Sequence, residues 1–355
     1  IEGDQENRKD ILPPHELKLG LTGIYQGTPG GNLSGGRSIN EASGSIDIEM
    51  AFFPLKSAKT FVHMESGKGG GLDGRAASLS GFNFDADDNT NLRVTELWYE
   101  QDLFEGKLHS QVGKVDLSKT FDQNLAANDE TLQFLSPGFR NSPVLEFPVQ
   151  NSLGVRLWYS AGESVDFGFA LAEADADWNR VFDDLFSIIE VDLKPRFNEM
   201  QGNYRLYFWQ NGMAHTPLLK PEEAGKSNFG IGLSADQELS KGLMVFSRFG
   251  WQRGDISRLQ YAFSTGVQLS GDTAGLGENI LGAAYGISMT GINARKPDSI
   301  NFINTGHEHH IELYYNMKVN DIIRISPDIQ WIRNLDADLD TDDLWAFGLR
   351  TQLSI

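Results

Sequence analysis

The strongest constraint in this chain is a rhythm: about 16 strand-like segments separated by gaps that are short and long by turns. The segments fall at 16–27, 42–53, 58–67, 92–102, 106–116, 152–161, 164–174, 187–195, 202–211, 227–238, 242–253, 256–269, 278–290, 307–318, 321–331 and 343–355. Tight gaps follow even-numbered segments: Pro54–Ser57, Leu103–Glu105, Gly162–Glu163, Leu239–Lys241 and Val319–Asn320. Long ones follow most odd-numbered segments: 68–91, 117–151, 212–226, 291–306 and 332–342. An antiparallel wall closed on itself in an outer membrane keeps short periplasmic turns at one end and long external loops at the other. A soluble sandwich has no reason for that asymmetry. The expected fold is all-β, a transmembrane antiparallel β-barrel of about 16 strands, with 1–355 as one domain and 1–15 as an N-terminal periplasmic segment.

Composition agrees. Hydrophobic residues make up 40% of the 355 positions, and no run approaches the ~18 apolar residues a membrane helix needs. Only helices and closed barrels satisfy every backbone group inside a bilayer, so a chain that crosses without helices must close. Cysteine is absent, which suits transit through an oxidising periplasm. The chain opens at Ile1-Glu2-Gly3-Asp4 without a basic or apolar leader, and removal of a secretory signal is the expectation. The net charge of −19 offers no basic stripe to nucleic acid.

Within the segments, side chains alternate between two faces of different chemistry. Trp345, Phe347, Leu349, Leu353 and Ile355 oppose Ala346, Gly348, Arg350, Gln352 and Ser354. Ile323, Ile325, Ile329 and Trp331 oppose Arg324, Ser326, Asp328 and Gln330. One face is nearly all apolar; the other is rich in Gly, Ser, Asn, Gln and Arg, as a wall between lipid and a hydrated lumen requires. Tyr25, Trp331 and Trp345 stand near segment ends, where interfacial aromatics belong.

Several conspicuous clusters receive plainer readings. The acidic runs at Asp85–Asp88, Asp175–Asp184 and Asp336–Asp343 read first as solvated loop surface and second as divalent-cation ligands at the outer face. His307-Glu308-His309-His310 splits across two strand faces, so it reads as surface or loop-contact residues, not as a metal site. Gly67–Gly71 lacks the helix and Lys-Ser/Thr of a phosphate cradle. No strand pairs a nucleophilic Ser with a neighbouring His, so no enzyme and no cofactor is expected.

Certain stretches resemble the OprB-type carbohydrate-selective porins. Glu312-Leu313-Tyr314-Tyr315, Ser326 to Asn334 and Phe347-Gly348-Leu349-Arg350 are similar to that family's closing hairpins. Gly31-Asn32-Leu33-Ser34-Gly35-Gly36 resembles its first loop, and Thr95 to Gln101 with Gly106-Lys107-Leu108 and Gly113-Lys114 its fourth and fifth strands. The resemblance implies a sixteen-stranded channel in the outer membrane of a Gram-negative-type bacterium. It would pass sugars and similar small hydrophilic solutes, surrounded by outer-membrane lipid and able to form a homo-oligomer. Such barrels usually end in Phe, whereas Ile355 stands here and keeps an apolar side chain on the same face. Two other roles remain open: an anion or general-diffusion porin, and a plugged adhesive barrel using its acidic loops.

A selective pore needs a constriction. The longest gap, 117–151, is the candidate constriction loop, because Ser136-Pro137-Gly138-Phe139-Arg140-Asn141-Ser142-Pro143 can hold a fixed shape and its Phe134, Leu135, Phe139, Val144, Leu145 and Phe147 need somewhere to pack. The second long gap, 68–91, is expected to fold over the mouth. Parity points Arg156 and Trp158, Arg205 and Trp209, Glu96, Trp98 and Glu100, and Glu190 into the lumen, with Arg140 from the loop and Arg350 from the last segment. Guanidinium groups and flat aromatic faces are the wall chemistry that sugars use. Arg156 and Arg205 are expected to face Glu96 and Glu190 at the narrowest point, and clustered Arg would favour anions as easily as neutral sugar.

Overall fold

A computed structural model describes residues 15–29, 38–301 and 303–355. The wall strands are β1 (His15–Thr28), β2 (Ile39–Leu55), β3 (Ala58–Lys68), β4 (Arg93–Leu103), β5 (Leu108–Val115), β6 (Ser152–Ser160), β7 (Val165–Glu173) and β8 (Leu185–Leu193). After a two-residue strand, β9 (Arg196–Phe197), the wall continues with β10 (Met200–His215), β11 (Lys226–Ser240), β12 (Leu243–Gln252) and β13 (Leu259–Ser270). It ends with β14 (Ile280–Thr290), β15 (His307–Lys318), β16 (Ile323–Arg333) and β17 (Leu344–Ser354).

Each wall strand pairs antiparallel with the next, β8 pairs directly with β10, and β17 returns to β1 from Gly20↔Ser354 to Gly27↔Phe347. The result is a closed antiparallel 16-strand barrel with one extra strand, β9, which pairs only with the start of β10. Closure removes the unpaired edge that a hydrocarbon interior would not tolerate. The short turns gather at the end that carries Ile355, whose backbone exchanges hydrogen bonds with Leu19 (2.9 Å each way).

The segments read from sequence match these strands to within a few residues. The clearest difference lies at β10, which continues past a bulge so that His215 still pairs with Lys226. The external connection therefore shrinks to 216–225. The expectations for residues 1–14 and for Gly31–Gly36 lie outside the described residues.

Facing follows the alternation. On β17, Trp345, Phe347 and Leu349 are each 48% exposed, whereas Ala346 and Arg350 are 1% exposed. The outward face is apolar and exposed because its solvent is lipid. The apolar cores of this protein lie inside the barrel, between the wall and two loops. Val115, Leu117, Phe121 and Leu145 pack with Phe186, Ile188, Tyr207 and Trp209. Phe134 and Phe139 pack with Phe246, Ala284 and Tyr314. From the other loop, Leu72, Ala76 and Phe82 pack with Ile332, Leu344 and Ala346.

Two glycines make this possible. Gly69, at φ +97°, turns the chain from β3 into the second loop, and a Cβ there would sit 2.1 Å from the Ala42 carbonyl oxygen. Gly168 on β7 leaves room for the Trp158 indole, which a Cβ would meet at 2.4 Å.

Candidate pore constriction and solute path

Segment 116–151 leaves β5 and runs against side chains that point inward from much of the wall. Its central turn is the short helix α1 (Pro137–Arg140), capped by Ser136, whose hydroxyl accepts from Gly138 N–H, with Pro137 at the first helical position. The Glu312 carboxylate of β15 accepts the N–H groups of Leu135 (2.5 Å) and Ser136 (3.1 Å). Glu190 of β8 accepts Asp122 N–H at 2.9 Å. From β12, Arg248 donates to the Phe139 carbonyl (2.5 Å) and the Asp122 carbonyl (2.9 Å). Arg350 of β17 donates to the Glu130 carbonyl at 2.5 Å.

The second loop is latched to the first and to the wall. Glu308 of β15 accepts from Ser78 Oγ (2.9 Å), Ser80 Oγ (2.7 Å) and the N–H groups of Leu79 and Ser80. Ser80 Oγ also meets His310 Nδ1 at 2.9 Å, and the Ser80 carbonyl accepts from Gly138 N–H and Ser136 Oγ. Glu308 and His310 are thus buried loop contacts.

The residues singled out from sequence all point inward, but they divide into two groups. Trp209 is fully covered within the apolar cluster, so it presents no face to solute. Glu190, Arg350 and Arg205 are likewise nearly covered and hold the 116–151 segment; Arg205 pairs with Asp236 (2.8 Å) and Asp192 (3.4 Å) and donates to the Gln123 carbonyl. Of the rest, Glu100, Arg156 and Trp158 border open space, together with an edge of Arg205, and Arg140 borders another, whereas Glu96 is buried. Arg156 pairs with Glu100 and donates to Thr120 Oγ1 (3.2 Å), and Trp158 donates to Asp166 at 2.9 Å. Glu96 accepts from Trp98 Nε1 (3.0 Å) and Lys119 Nζ (2.8 Å). Arg156 and Arg205 thus face carboxylates of the same strand faces as the expected Glu96 and Glu190, with Glu100 and the Asp192–Asp236 pair as their ion-pair partners.

Among the described residues, the interior holds several open spaces. A cavity of about 480 Å³ opens between the two loops, one of about 850 Å³ runs along β1–β4, and one of about 570 Å³ lies beside β6, β8 and β10. Phe84, Asp116, Arg140 and Asn151 line both the first and the second. Lys119 lines both the second and the third. At the first junction the Arg140 guanidinium lies 4.1 Å from the Phe84 ring centroid and is held by Glu130 (2.5 Å) and Ser118 Oγ (3.0 Å). Burial opposes the Lys119 charge, but Glu96 and Asp116 outweigh it and hold the ammonium above its ordinary value. Burial, reinforced by the charges of Glu130 and Asp47, pushes the Asp85 carboxyl of the second loop up to about 8.

Sequence reasoning missed Phe84, Asp116, Lys119, Asp122, Arg248 and Glu312. Parity on β12 and β15 points Arg248 and Glu312 inward and could have found them. Nothing in the sequence could have paired them with loop backbone.

Sixteen antiparallel wall strands, an apolar outward face and a polar interior that holds two loops define a channel barrel of the porin class. The model of the family described as "Carbohydrate-selective porin, OprB family" matches residues 35–355, and the chain belongs to that family. It is similar to the high-pH structure of Pseudomonas putida OprB, with a TM-score of 0.82 and 16% identity over 96% of this chain and 94% of that one. The low-pH structure of the same protein gives a TM-score of 0.61 at 14% identity, covering 96% and 92%. A triple mutant of the Rhodopseudomonas blastica porin gives 0.59 at 10%, covering 96% and 100%. An uncharacterized protein of Aquifex aeolicus (strain VF5) is 28% identical over 221 residues, 62% of this chain; the match spans 58% of that relative's length. The family is one of channels and not of enzymes, and family and fold together imply a Gram-negative outer membrane.

Proposed function

We propose that this protein is a passive outer-membrane channel for carbohydrates and similar small hydrophilic solutes, narrowed where Phe84, Asp116, Arg140 and Asn151 separate the loop vestibule from the larger cavity. The observation that carries the reading is the sharing of these four side chains between the two spaces. A sugar ring has an apolar face and a rim of hydroxyls. Phe84 offers the flat surface, and Asp116, Asn151 and the nearby Lys119 offer acceptors and donors at its edge. Arg140 braces Phe84 and sets the width.

Open space beside both loops favours flow over a plugged scaffold. Charge favours neutral over anionic cargo. The largest cavity is lined by Asp47, Glu49, Glu65, Asp85, Asp87, Asp116, Asp129 and Glu130 against Lys18, Lys119 and Arg140. An excess of carboxylates focuses a field that repels anions. Binding must stay weak, at roughly millimolar affinity or about −4 kcal/mol, or solute would block the channel.

Single-channel conductance in a planar bilayer, with and without millimolar sugars, tests this. Sugar-dependent block is expected, with a cation preference in salt gradients. Arg140→Ala should raise ion conductance and weaken the block. A closed barrel, or one whose conductance ignores sugars, would reject the reading.

A further inference from the structure

Three carboxylates at the outer rim take no part in the solute path. Glu173 is the last residue of β7, and Asp175 and Asp177 follow on the connection to β8. One oxygen from each lies within 4.8 Å of the others. Glu173 is 1% exposed, and neither of its carboxylate oxygens has a hydrogen-bond partner. The nearby cation, Arg180, pairs with Asp183 at 3.3 Å. The other acidic loop behaves differently: Asp336 is paired with Arg258 (2.7 Å), and Asp338 and Asp340 accept from Asn304.

Three like charges drawn together around a buried, unsatisfied carboxylate call for a cation. We propose that Glu173, Asp175 and Asp177 bind a calcium ion that ties the end of β7 to the 174–184 loop. Calcium takes oxygen ligands at about 2.3–2.6 Å, so ligands on opposite sides of one ion stand up to ~5 Å apart, and a set whose oxygens all lie within 4.8 Å of one another can share one ion. Magnesium, at about 2.0–2.1 Å, demands near-ideal octahedral geometry and usually keeps several of its waters, so a cluster of three carboxylates suits calcium better. A set of oxygen ligands without His or Cys sets the site apart from zinc and copper. The backbone serves the convergence: Ala176 (φ 54°) and Trp178 (φ 60°) adopt left-handed conformations at alternate positions, curling the chain so that side chains two residues apart turn toward one centre. Waters complete the coordination.

Terbium luminescence on the detergent-solubilised barrel tests this, because Trp178 stands beside Asp177 as a built-in sensitiser. Tb3+ emission excited through tryptophan is expected, displaced by Ca2+ with an affinity of about 0.1–1 mM, the range of extracellular calcium modules, and displaced far less by Mg2+. Asp175→Asn combined with Asp177→Asn should abolish the emission, while Asp338→Asn combined with Asp340→Asn should leave it unchanged. Trp178→Phe should lose the emission yet keep a Ca2+-dependent slowing of trypsin cleavage after Arg180, which is exposed. Emission that survives the Asp175/Asp177 substitutions, or cleavage at Arg180 that ignores Ca2+ in the unaltered protein, overturns the proposal. Should the doubly substituted barrel fail to fold, the cleavage result on the unaltered protein decides.

Discussion

Replacing Arg248 with Ala should loosen the loop that narrows the channel, and should do so more at high pH than at low. The guanidinium spans two loop carbonyls, those of Phe139 and Asp122, and its Nε lies 3.3 Å from Asp122 Oδ1. Both side chains are almost fully covered, at 1% and 0% exposure. Removing one partner of a buried ion pair costs about 3–5 kcal/mol, because the remaining charge is left without compensation. Water from the adjacent spaces can relieve part of this, so the lower end, about 3 kcal/mol, is the working figure. At ~1.4 kcal/mol per factor of ten, the undocked population rises by about two orders of magnitude.

The pH dependence follows from Asp122. Burial pushes its carboxyl above the ordinary value of 3.8, and Arg248 is the largest influence in the opposite direction. An acid whose value is raised in the docked state favours docking at low pH, fully below its undocked value, and that contribution is lost as pH rises through the docked value. Without Arg248 the docked value climbs further, moving the loss to higher pH. Single-channel recordings of Arg248→Ala between about pH 5 and pH 9 should show larger and noisier conductance that grows with pH. Adding Asp122→Asn should remove the pH dependence. Conductance equal to the unaltered protein at all pH values would refute the reasoning, for the loop would then be held without this pair.

Leu349→Arg on the outward face should cost about 2–4 kcal/mol of barrel stability if it lies near the bilayer midplane, while Gln352→Arg on the inward face should cost far less; equal shifts in urea unfolding would reverse the facing assignment. Arg156→Ala frees Glu100 beside the 570 Å³ cavity and should strengthen cation preference in reversal-potential measurements. Asp85, pushed up to about 8, is mostly neutral at pH 7 and ionises above that value. Its contribution to stability is full below the ordinary value near 3.8 and is lost as pH rises through about 8. Cation preference should therefore climb between about pH 7 and pH 9, and Asp85→Asn should flatten the rise.

The wall was legible in the sequence because a barrel strand is a local object. Period-2 alternation is set residue by residue, and the short–long gaps require only that every second turn be at the same end. Hence β17 and β16 fall where Trp345/Arg350 and Ile329/Gln330 place them, with the facing the alternation dictates. The apolar content of 117–151 likewise announced that the segment must pack. Its docking surface could not be read locally. Glu312 lies 177 positions from the Leu135 backbone it accepts, and Arg248 lies 109 from the Phe139 carbonyl it holds. Contacts of that kind depend on curvature and register accumulated over many strands. For the same reason parity could say that Arg205, Trp209, Glu190 and Arg350 point inward but not that a loop covers them, leaving Phe84, Asp116, Arg140 and Asn151 beside the open space. A strand decides which way its side chains face, but only the closed barrel decides what stands opposite them.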